Sequence, residues 1–293
     1  MNVPEDHPNK KIIESLNLKK ISKNPLVSVI IPAHNEEKYV WKAIESLLKQ
    51  TYKPIELIVV NNGSTDSTLE VINRYKDKIK IVNSSENLGF GGGCNAGWNV
   101  SKGQILMFFD ADEVYGGDYI KNLVAPILEE KDICTMHNME KIANFTNPWA
   151  RAFGARYTTQ NGRGKIFTMI RRDAFEKLGP FDPSLGYADD KTLNIKHGLT
   201  SYGIDAEISH HNPDDIKVHW KHGKWVGKSY KHPYITIIVA PLFPGYVLYK
   251  SVKQFSKDPY WKFAYFLPFY HTVKYFSYFA GAIDRIKGEK RVV

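Results

Sequence analysis

Asp110-Ala111-Asp112 places two carboxylates one residue apart, directly after the apolar run Ile105-Leu106-Met107-Phe108-Phe109. A short, unbroken apolar run predicts a buried strand. The two acids therefore fall at its carboxyl end, where open α/β sheets place their ligands. Paired carboxylates on a rigid strand end suit a hard divalent cation, which takes oxygen ligands and keeps vacancies for substrate phosphates. Alone, the same triplet would serve as a polar exit from a strand into a loop, so the flanking segments decide its meaning.

Three more strand ends carry polar turns. The run Val27–Ile31 leads into Pro32-Ala33-His34-Asn35-Glu36-Glu37, where a proline and a small residue allow a sharp turn. A second run ends in Asn61-Asn62-Gly63-Ser64-Thr65-Asp66-Ser67. Its glycine permits a tight turn, and Ser64, Thr65 or Asp66 can cap the next helix. The third reaches Asn87-Leu88-Gly89-Phe90-Gly91-Gly92-Gly93-Cys94-Asn95-Ala96-Gly97. Glycines before a helix allow close backbone approach and free N–H groups at an anion-attracting helix start. The pattern is neither a Walker loop nor the dinucleotide fingerprint, since Cys94 stands where the last fingerprint glycine belongs. A plain flexible turn is the alternative for this segment.

The elements that must position these residues alternate regularly. Strands are predicted at Val27–Ile31, Leu57–Val60, Ile79–Val82 and Ile105–Phe109, with helices at Glu36–Gln50, at about Ser67 to Tyr75, and after the glycines near Gly91. Such alternation means βαβ units and a largely parallel sheet. Beyond Asp118 the pattern loosens. Helices are expected over Leu123–Leu128, Arg172–Leu178 and Asp189–His197, and strands over Ile133–His137, Ile166–Ile170 and Ile204–Ser209. Residues 141–164 read as a polar loop, and residues 1–25 as an extension with one short helix near Ile12–Leu18.

The 293 residues suffice for one domain of roughly 200–250 residues plus an appendage. The net charge of +9 is uneven: Ile216–Val293 holds 14 Lys/Arg against 3 Asp/Glu, and 19 of the 38 aromatic residues. A basic, aromatic tail on a near-neutral body points to an anionic membrane surface and away from nucleic acid. The apolar stretch Tyr234–Tyr249 is broken by Pro241 and Pro244, and Tyr260–Ile286 carries Lys262, Lys274, Asp284 and Arg285. Both fall short of the ~20 apolar residues of a spanning helix; amphipathic segments lying on the surface fit better. Cys94 and Cys134 form no metal-ligand spacing or disulfide framework. The N-terminus lacks an apolar signal core, so a cytoplasmic protein, peripheral on the inner face of the membrane, is expected. His210, His211, His219 and His222 crowd late in the chain but have no cysteine or His-Glu-x-x-His pattern for zinc.

Taken together, these motifs resemble the inverting nucleotide-sugar glycosyltransferases of family 2. The resemblance rests on Val27-Ser28-Val29-Ile30-Ile31-Pro32-Ala33-His34-Asn35-Glu36, Val59-Val60-Asn61-Asn62-Gly63-Ser64-Thr65-Asp66, Asn87-Leu88-Gly89-Phe90, Asn95-Ala96-Gly97, Asp110-Ala111-Asp112 and Phe175–Asp182. It spans roughly residues 26–222, and the glycine-rich third motif looks most like the rhamnosyltransferase-type branch. It implies a GT-A fold, a Rossmann-like, mainly parallel mixed sheet flanked by helices. The domain would run over 26–225, followed by a basic aromatic region over 226–293 associated with the membrane.

The resemblance also implies roles for individual positions. Pro32, Ala33, Asn35, Glu36, Asn61, Gly63, Gly89, Asn95, Asp110 and Ala111 would bind the nucleotide sugar. Asn61 stands where the family usually has an Asp reading the base or ribose, and an amide can donate as well as accept. Asp112, with Asp110, would bind Mn²⁺ or Mg²⁺, and His219 would complete the metal shell or touch the diphosphate; Mn²⁺ accepts imidazole beside carboxylates. The general base would come from the acidic pair in Leu185-Gly186-Tyr187-Ala188-Asp189-Asp190-Lys191, with Asp190 favoured over Asp189. Outside the motif order, that pair would simply be an acidic helix start.

The expected reaction is a single displacement on a nucleotide sugar, delivering a hexose or deoxyhexose to a hydroxyl of a lipid-linked or membrane-proximal glycan. A sugar nucleotidyltransferase would use a similar sheet and a metal-bound Asp, but no Arg/Lys-bearing triphosphate loop follows the first strand. A non-catalytic sugar-binding protein retaining the fold is the other alternative.

Overall fold

The computed structural model of the chain describes residues 1, 3–154, 156–228, 233–234, 242–257 and 263–287. The chain divides into two compact units, one of residues 1–141 and 156–210, the other of 142–155 and 211–293.

Alternating side chains along the first strands set the architecture of the first unit. In β1 (Val27–Ala33), β2 (Ile55–Asn62) and β4 (Ile105–Phe108), Val29, Ile31, Val59 and Met107 face one core. Their neighbours Ile30, Ile58, Val60 and Leu106 face a second core on the opposite side. A sheet covered on both faces favours apolar residues at nearly every central position, which is why the middles of these strands read as near-continuous apolar runs with few polar residues, Ser28 among them. The first face is covered by α2 (Val40–Leu48), through Val40, Ala43, Ile44 and Leu47, and by α5 (Tyr119–Leu128). The second is covered by α4 (Gly89–Val100), α7 (Arg172–Leu178) and α8 (Thr192–His197). Each fully buried Leu, Ile, Val or Phe contributes about 1.5–3 kcal/mol.

The large sheet of the described residues has the order β3-β2-β1-β4-β11-β6-β12-β10-β9, with β3 at Lys80–Ser84, β6 at Cys134–His137, β9 at Thr159–Gln160, β10 at Arg163–Gly164, β11 at Met169–Arg171 and β12 at Ser201–Ile204. The first four strands run parallel, as expected. β11 inserts antiparallel between β4 and β6, so the sheet is mixed beyond β4. A small sheet has the order β5-β13-β7-β8, with β5 at Glu113–Tyr115, β7 at Met139–Ile142, β8 at Arg156–Tyr157 and β13 at Ile208–His210.

Two regions differ from the expectation. Residues 1–25 are built into the first unit: Val3, Ile13 and Leu16 are buried in the second core, and α1 (Lys10–Leu16) starts beside Asn9. Asn9 is fully buried, donating to Asp132 and to the Thr200 carbonyl. The stretch 141–164 holds β8, β9, β10 and the short helix α6 (Pro148–Phe153), whose start is capped by Asn147 accepting from the Trp149 and Ala150 amides.

The second unit contains α6, α9 (Ile216–Lys228), α10 (Phe243–Lys257) and α11 (Phe263–Ile286). α9 and α11 meet through Gly227 and Gly281, where a Cβ would run into the Tyr278 and Lys224 carbonyls. Asp284 pairs with Lys224 at 2.7 Å. No helix of the described residues is long and apolar enough to cross a membrane. The apolar stretches expected over Tyr234–Tyr249 and Tyr260–Ile286 lie partly outside the described residues, at 235–241 and 260–262.

Candidate active site

Parallel pairing brings the ends of β1 and β2 together, with Ala33 opposite Asn61. The two turns that follow are sewn to each other. The Asn35 amide N–H donates to Ser64 Oγ at 3.1 Å, and Asn35 Oδ1 accepts from the Thr65 N–H at 2.8 Å. The Glu36 N–H donates to Thr68 Oγ1 at 2.7 Å. Asn35 adopts a positive φ of 59°, which an Asn tolerates in a turn. Gly63 sits at φ 66°, and a Cβ there would collide with the backbone of Glu86 and Asn87, so this turn requires glycine.

The third turn is held by Asn62, which the sequence reading passed over. Its Oδ1 accepts from the Leu88 N–H at 3.0 Å, and its Nδ2 donates to the Gly89 carbonyl at 2.9 Å. α4 begins at Gly89 itself, so the glycines lie inside its first turns and not before it. Their reason is packing: a Cβ at Gly93 would come within 2.6 Å of Pro32 Cβ, and one at Gly97 would overlap Ile30. Asn95 faces the other way, exchanging two hydrogen bonds with the Phe181 backbone at 2.9 and 3.1 Å.

Asn61 is buried, and its Nδ2 donates to Asn83 Oδ1 at 2.5 Å. Its own Oδ1 is buried and has no hydrogen-bond partner among the described residues. An orphaned acceptor at a sheet edge costs about 1–3 kcal/mol unless something supplies a donor. A ligand N–H or O–H would do so.

The acidic centre lies past β4. Asp110, Asp112 and His210 bring one ligand atom each to within 4.8 Å of one another, with His210 Nε2 at 3.1 Å from Asp112 Oδ2. His210 arrives because β13 pairs antiparallel with β5, setting His210 opposite Glu113. The Tyr115 hydroxyl shares its single proton between Glu113 Oε2 at 2.9 Å and the Asp110 carbonyl at 3.1 Å, fixing the turn beneath the acids. Ala111 is buried between them. Burial, then the neighbouring carboxylates of Asp112, Asp110 and Asp66, push the Glu36 carboxyl up to about 9. Like charges crowded this way are relieved by a cation among them. Two carboxylates and an imidazole form a donor set that Mn²⁺ accepts.

His219 does not belong to that trio. It lies in the second unit, its Nε2 3.1 Å from the Pro213 carbonyl and its ring against Trp149 and Tyr270. Burial lowers its pKa to about 4, the behaviour of a neutral core histidine. Spacing alone could not separate His219 from His210. The strand pattern Ile208-Ser209-His210 was the available signal, but it needed knowledge of the β5 partner.

The acidic pair sits on a 3₁₀ segment, Pro183–Lys191, kinked at Gly186. Asp189 is buried, and its Oδ2 accepts from the Gly91 N–H at 2.7 Å, at the start of α4. Burial raises its pKa to about 6, opposed by the Gly91 hydrogen bond and reinforced by Asp190. Asp190 follows it, half-buried.

Residues 28–180 match the model for "Glycosyl transferase family 2", just over half of the chain. The chain is 33% identical over 200 residues to an uncharacterized glycosyltransferase of Rickettsia prowazekii, covering 63% of each. It is 28% identical over 289 residues to the probable glycosyltransferase YdaM of Bacillus subtilis, covering 88% of this chain and 64% of that one. It thus spans less than two thirds of the length of these relatives. Among solved structures, its fold is similar to the mannosyltransferase PcManGT from Pyrobaculum calidifontis in complex with GDP-Man and Mn²⁺ (TM-score 0.56, 16% identity, 96% of this chain and 94% of that one). It is also similar to S. aureus TarS 1-349 in complex with UDP (TM-score 0.54, 18% identity, 89% and 91%). The likeness to these two is one of fold, that of GT-A glycosyltransferases. With its mixed α/β sheet and matching motif order, the chain belongs to glycosyl transferase family 2.

Proposed function

We propose that this protein is a metal-dependent, inverting glycosyltransferase that moves a hexosyl or deoxyhexosyl group from a nucleotide-sugar donor to a hydroxyl of a lipid-linked or membrane-proximal glycan. The observation that carries this reading is the convergence of Asp110, Asp112 and His210 beside the raised Glu36 carboxyl. Asp110, Asp112 and His210 would hold Mn²⁺ or Mg²⁺, with His210 taking the place that the sequence reading gave to His219. When bound, such an ion offsets the charge developing on a departing diphosphate. The turns at 32–36, 61–66 and 87–95 form the donor pocket, where the buried Asn61 Oδ1 accepts a hydrogen bond from the donor.

The hydrogen bond from Gly91 to Asp189 supports assigning a positioning role to Asp189 and the role of base to Asp190. Its carboxylate takes the proton of the acceptor hydroxyl as that oxygen bonds to the anomeric carbon and the bond to the diphosphate breaks. One displacement inverts the anomeric configuration, and nucleoside diphosphate leaves. The transferase domain runs over 26–225, with residues 1–25 packed into it, and residues 226–293 rest on the cytoplasmic face of the membrane.

A screen of nucleotide sugars with Mn²⁺ or Mg²⁺, read by calorimetry and then by transfer, tests the reading. The expected result is cation-dependent binding of at least one donor and release of nucleoside diphosphate on transfer. Absence of affinity for every donor in the presence of either cation would sink it, and release of pyrophosphate from a nucleoside triphosphate would replace it with a nucleotidyltransferase.

A further inference from the structure

The helix α10 of the second unit buries only part of its circumference. Val247 and Ser251 are buried, and Phe243 and Tyr246 pack on Tyr275 of α11 at 4.6 and 6.1 Å between ring centroids. The opposite side leaves Leu248, Tyr249 and Val252 at 66, 57 and 61% exposure. These positions lie one and three or four residues apart, so they form one continuous stripe. Leu242, at 70%, extends it at the amino end.

Lys253, with Lys257 one turn on, flanks the stripe on one side, whereas Lys250 is two residues from both Leu248 and Val252 and so sits on the other side of the helix, next to the buried Val247 and Ser251. Lys253 and Lys257 are exposed, and Lys250 is half-buried. The Lys253 ammonium donates to the Tyr249 hydroxyl at 3.2 Å, and the Lys250 ammonium lies 5.5 Å from the Tyr246 ring centre. α10 contains no acidic residue. An exposed apolar stripe with a basic border is the pattern of a helix lying in the headgroup region of a bilayer. Its 15 residues extend about 22 Å, too short for a hydrocarbon core of ~30 Å.

We infer that α10 is the surface by which this protein docks on an anionic lipid leaflet, with Leu248, Tyr249 and Val252 entering the headgroup boundary and Lys253 and Lys257 meeting lipid phosphates. This deepens the membrane-proximal reading above and names the contact. Charge complementarity selects the occupant. A second copy would oppose one lysine border with another, and a nucleic acid would engage the lysines yet leave Leu248 and Val252 in water.

The test is co-sedimentation of the full chain with phosphatidylcholine vesicles, with and without phosphatidylglycerol. The expected result is binding that requires phosphatidylglycerol and weakens with salt. It should fall about fivefold for each of Lys253→Gln and Lys257→Gln, and at least about tenfold in the double variant Leu248→Ser/Val252→Ser. All these side chains lie outside the core, so melting temperatures should not change. Equal binding to neutral vesicles, or undiminished binding by the double variant, would overturn the inference. So would a wild-type dimer that the double variant converts to monomer, because the occupant would then be a second copy. Donor binding measured without vesicles reads the transferase reading alone: its failure beside intact, variant-sensitive vesicle binding removes the donor and supports the surface.

Discussion

The carboxylate of Asp189 accepts a hydrogen bond from the Gly91 N–H at 2.7 Å, fastening the turn that carries the acidic pair to the first turn of α4. A Cβ at position 91 would lie 2.9 Å from both Asp189 Oδ2 and Phe181 Cβ, so this contact exists because residue 91 is glycine. On the function proposed above, the two neighbouring aspartates would divide their tasks, Asp189 positioning the turn and Asp190 serving as the base.

That division predicts unequal kinetics. Asp190→Asn should lower kcat by about 10²–10⁴-fold, the usual worth of a positioned base. Asp189→Asn keeps an acceptor for Gly91 and should cost only about tenfold, whereas Asp189→Ala loses a charge-assisted hydrogen bond worth about 1.5–3 kcal/mol. Steady-state transfer rates beside thermal melts check this. An Asp189→Asn variant as inactive as Asp190→Asn would exchange the two roles.

Glu36 predicts an unusual pH dependence. Its folded pKa of about 9 lies above the ordinary 4.5, so the native state holds the proton more tightly than the unfolded chain. Its contribution to stability should therefore decline as pH rises from about 4.5 to 9. Asp189 acts in the same direction between 3.8 and about 6. Cation-free Glu36→Gln should melt higher than wild type at alkaline pH, by about 2–4 °C for each kcal/mol relieved. Denaturation of wild type beside Glu36→Gln across this pH range decides; a difference between the two that does not grow in the variant's favour as pH rises would contradict the crowding of acids around Glu36.

The cation should read His210 and ignore His219. His210→Ala should weaken Mn²⁺ binding by at least about 10–100-fold, the loss already seen for outer-shell partners. His219→Ala should leave that affinity intact while lowering stability, since its ring is packed among Trp149, Phe153 and Tyr270. Calorimetric titration of Mn²⁺ into both variants gives the comparison, and equal losses would remove His210 from the centre.

Gly63→Ala should damage the donor turn without touching any side chain. It imposes a Cβ at φ 66° and drives it into the 86–87 backbone. A cost of about 1–3 kcal/mol is expected, together with weaker donor binding. Chemical denaturation with nucleotide-sugar titration measures both.

Much of this was legible in the chain. The first four strands announced themselves through apolar middles, because central strands covered on both faces admit few polar residues, and β1 and β4 were placed within two residues at each end. Asp110 and Asp112 followed from the end of β4. His210 did not, because its meeting with Asp112 depends on two three-residue strands nearly a hundred positions apart. Short strands carry almost no periodicity. The helix at Pro148–Phe153 was missed although Asn147-Pro148 is a start signal, a capping side chain followed by proline at the first helical position. The glycines of α4 were read as loop because glycine is a poor helix former; close approach to β1 overrides that preference.

Asn9 has a consequence for anyone shortening this protein. Its side chain bridges Asp132 beside β6 and Thr200 ahead of β12. Removing the first 25 residues would strip a keystone from two crossings at once, deprive the sealed Asp132 carboxylate of one of its donors, and bare the cavity vacated by Ile13 and Leu16. Thr200 trails α8, the helix that grows directly from the turn bearing Asp189 and Asp190. A trimmed version beginning at Leu26 would thus lose its brace on the turn that bears Asp189 and Asp190, and poor turnover by such a product would report lost bracing, not lost chemistry.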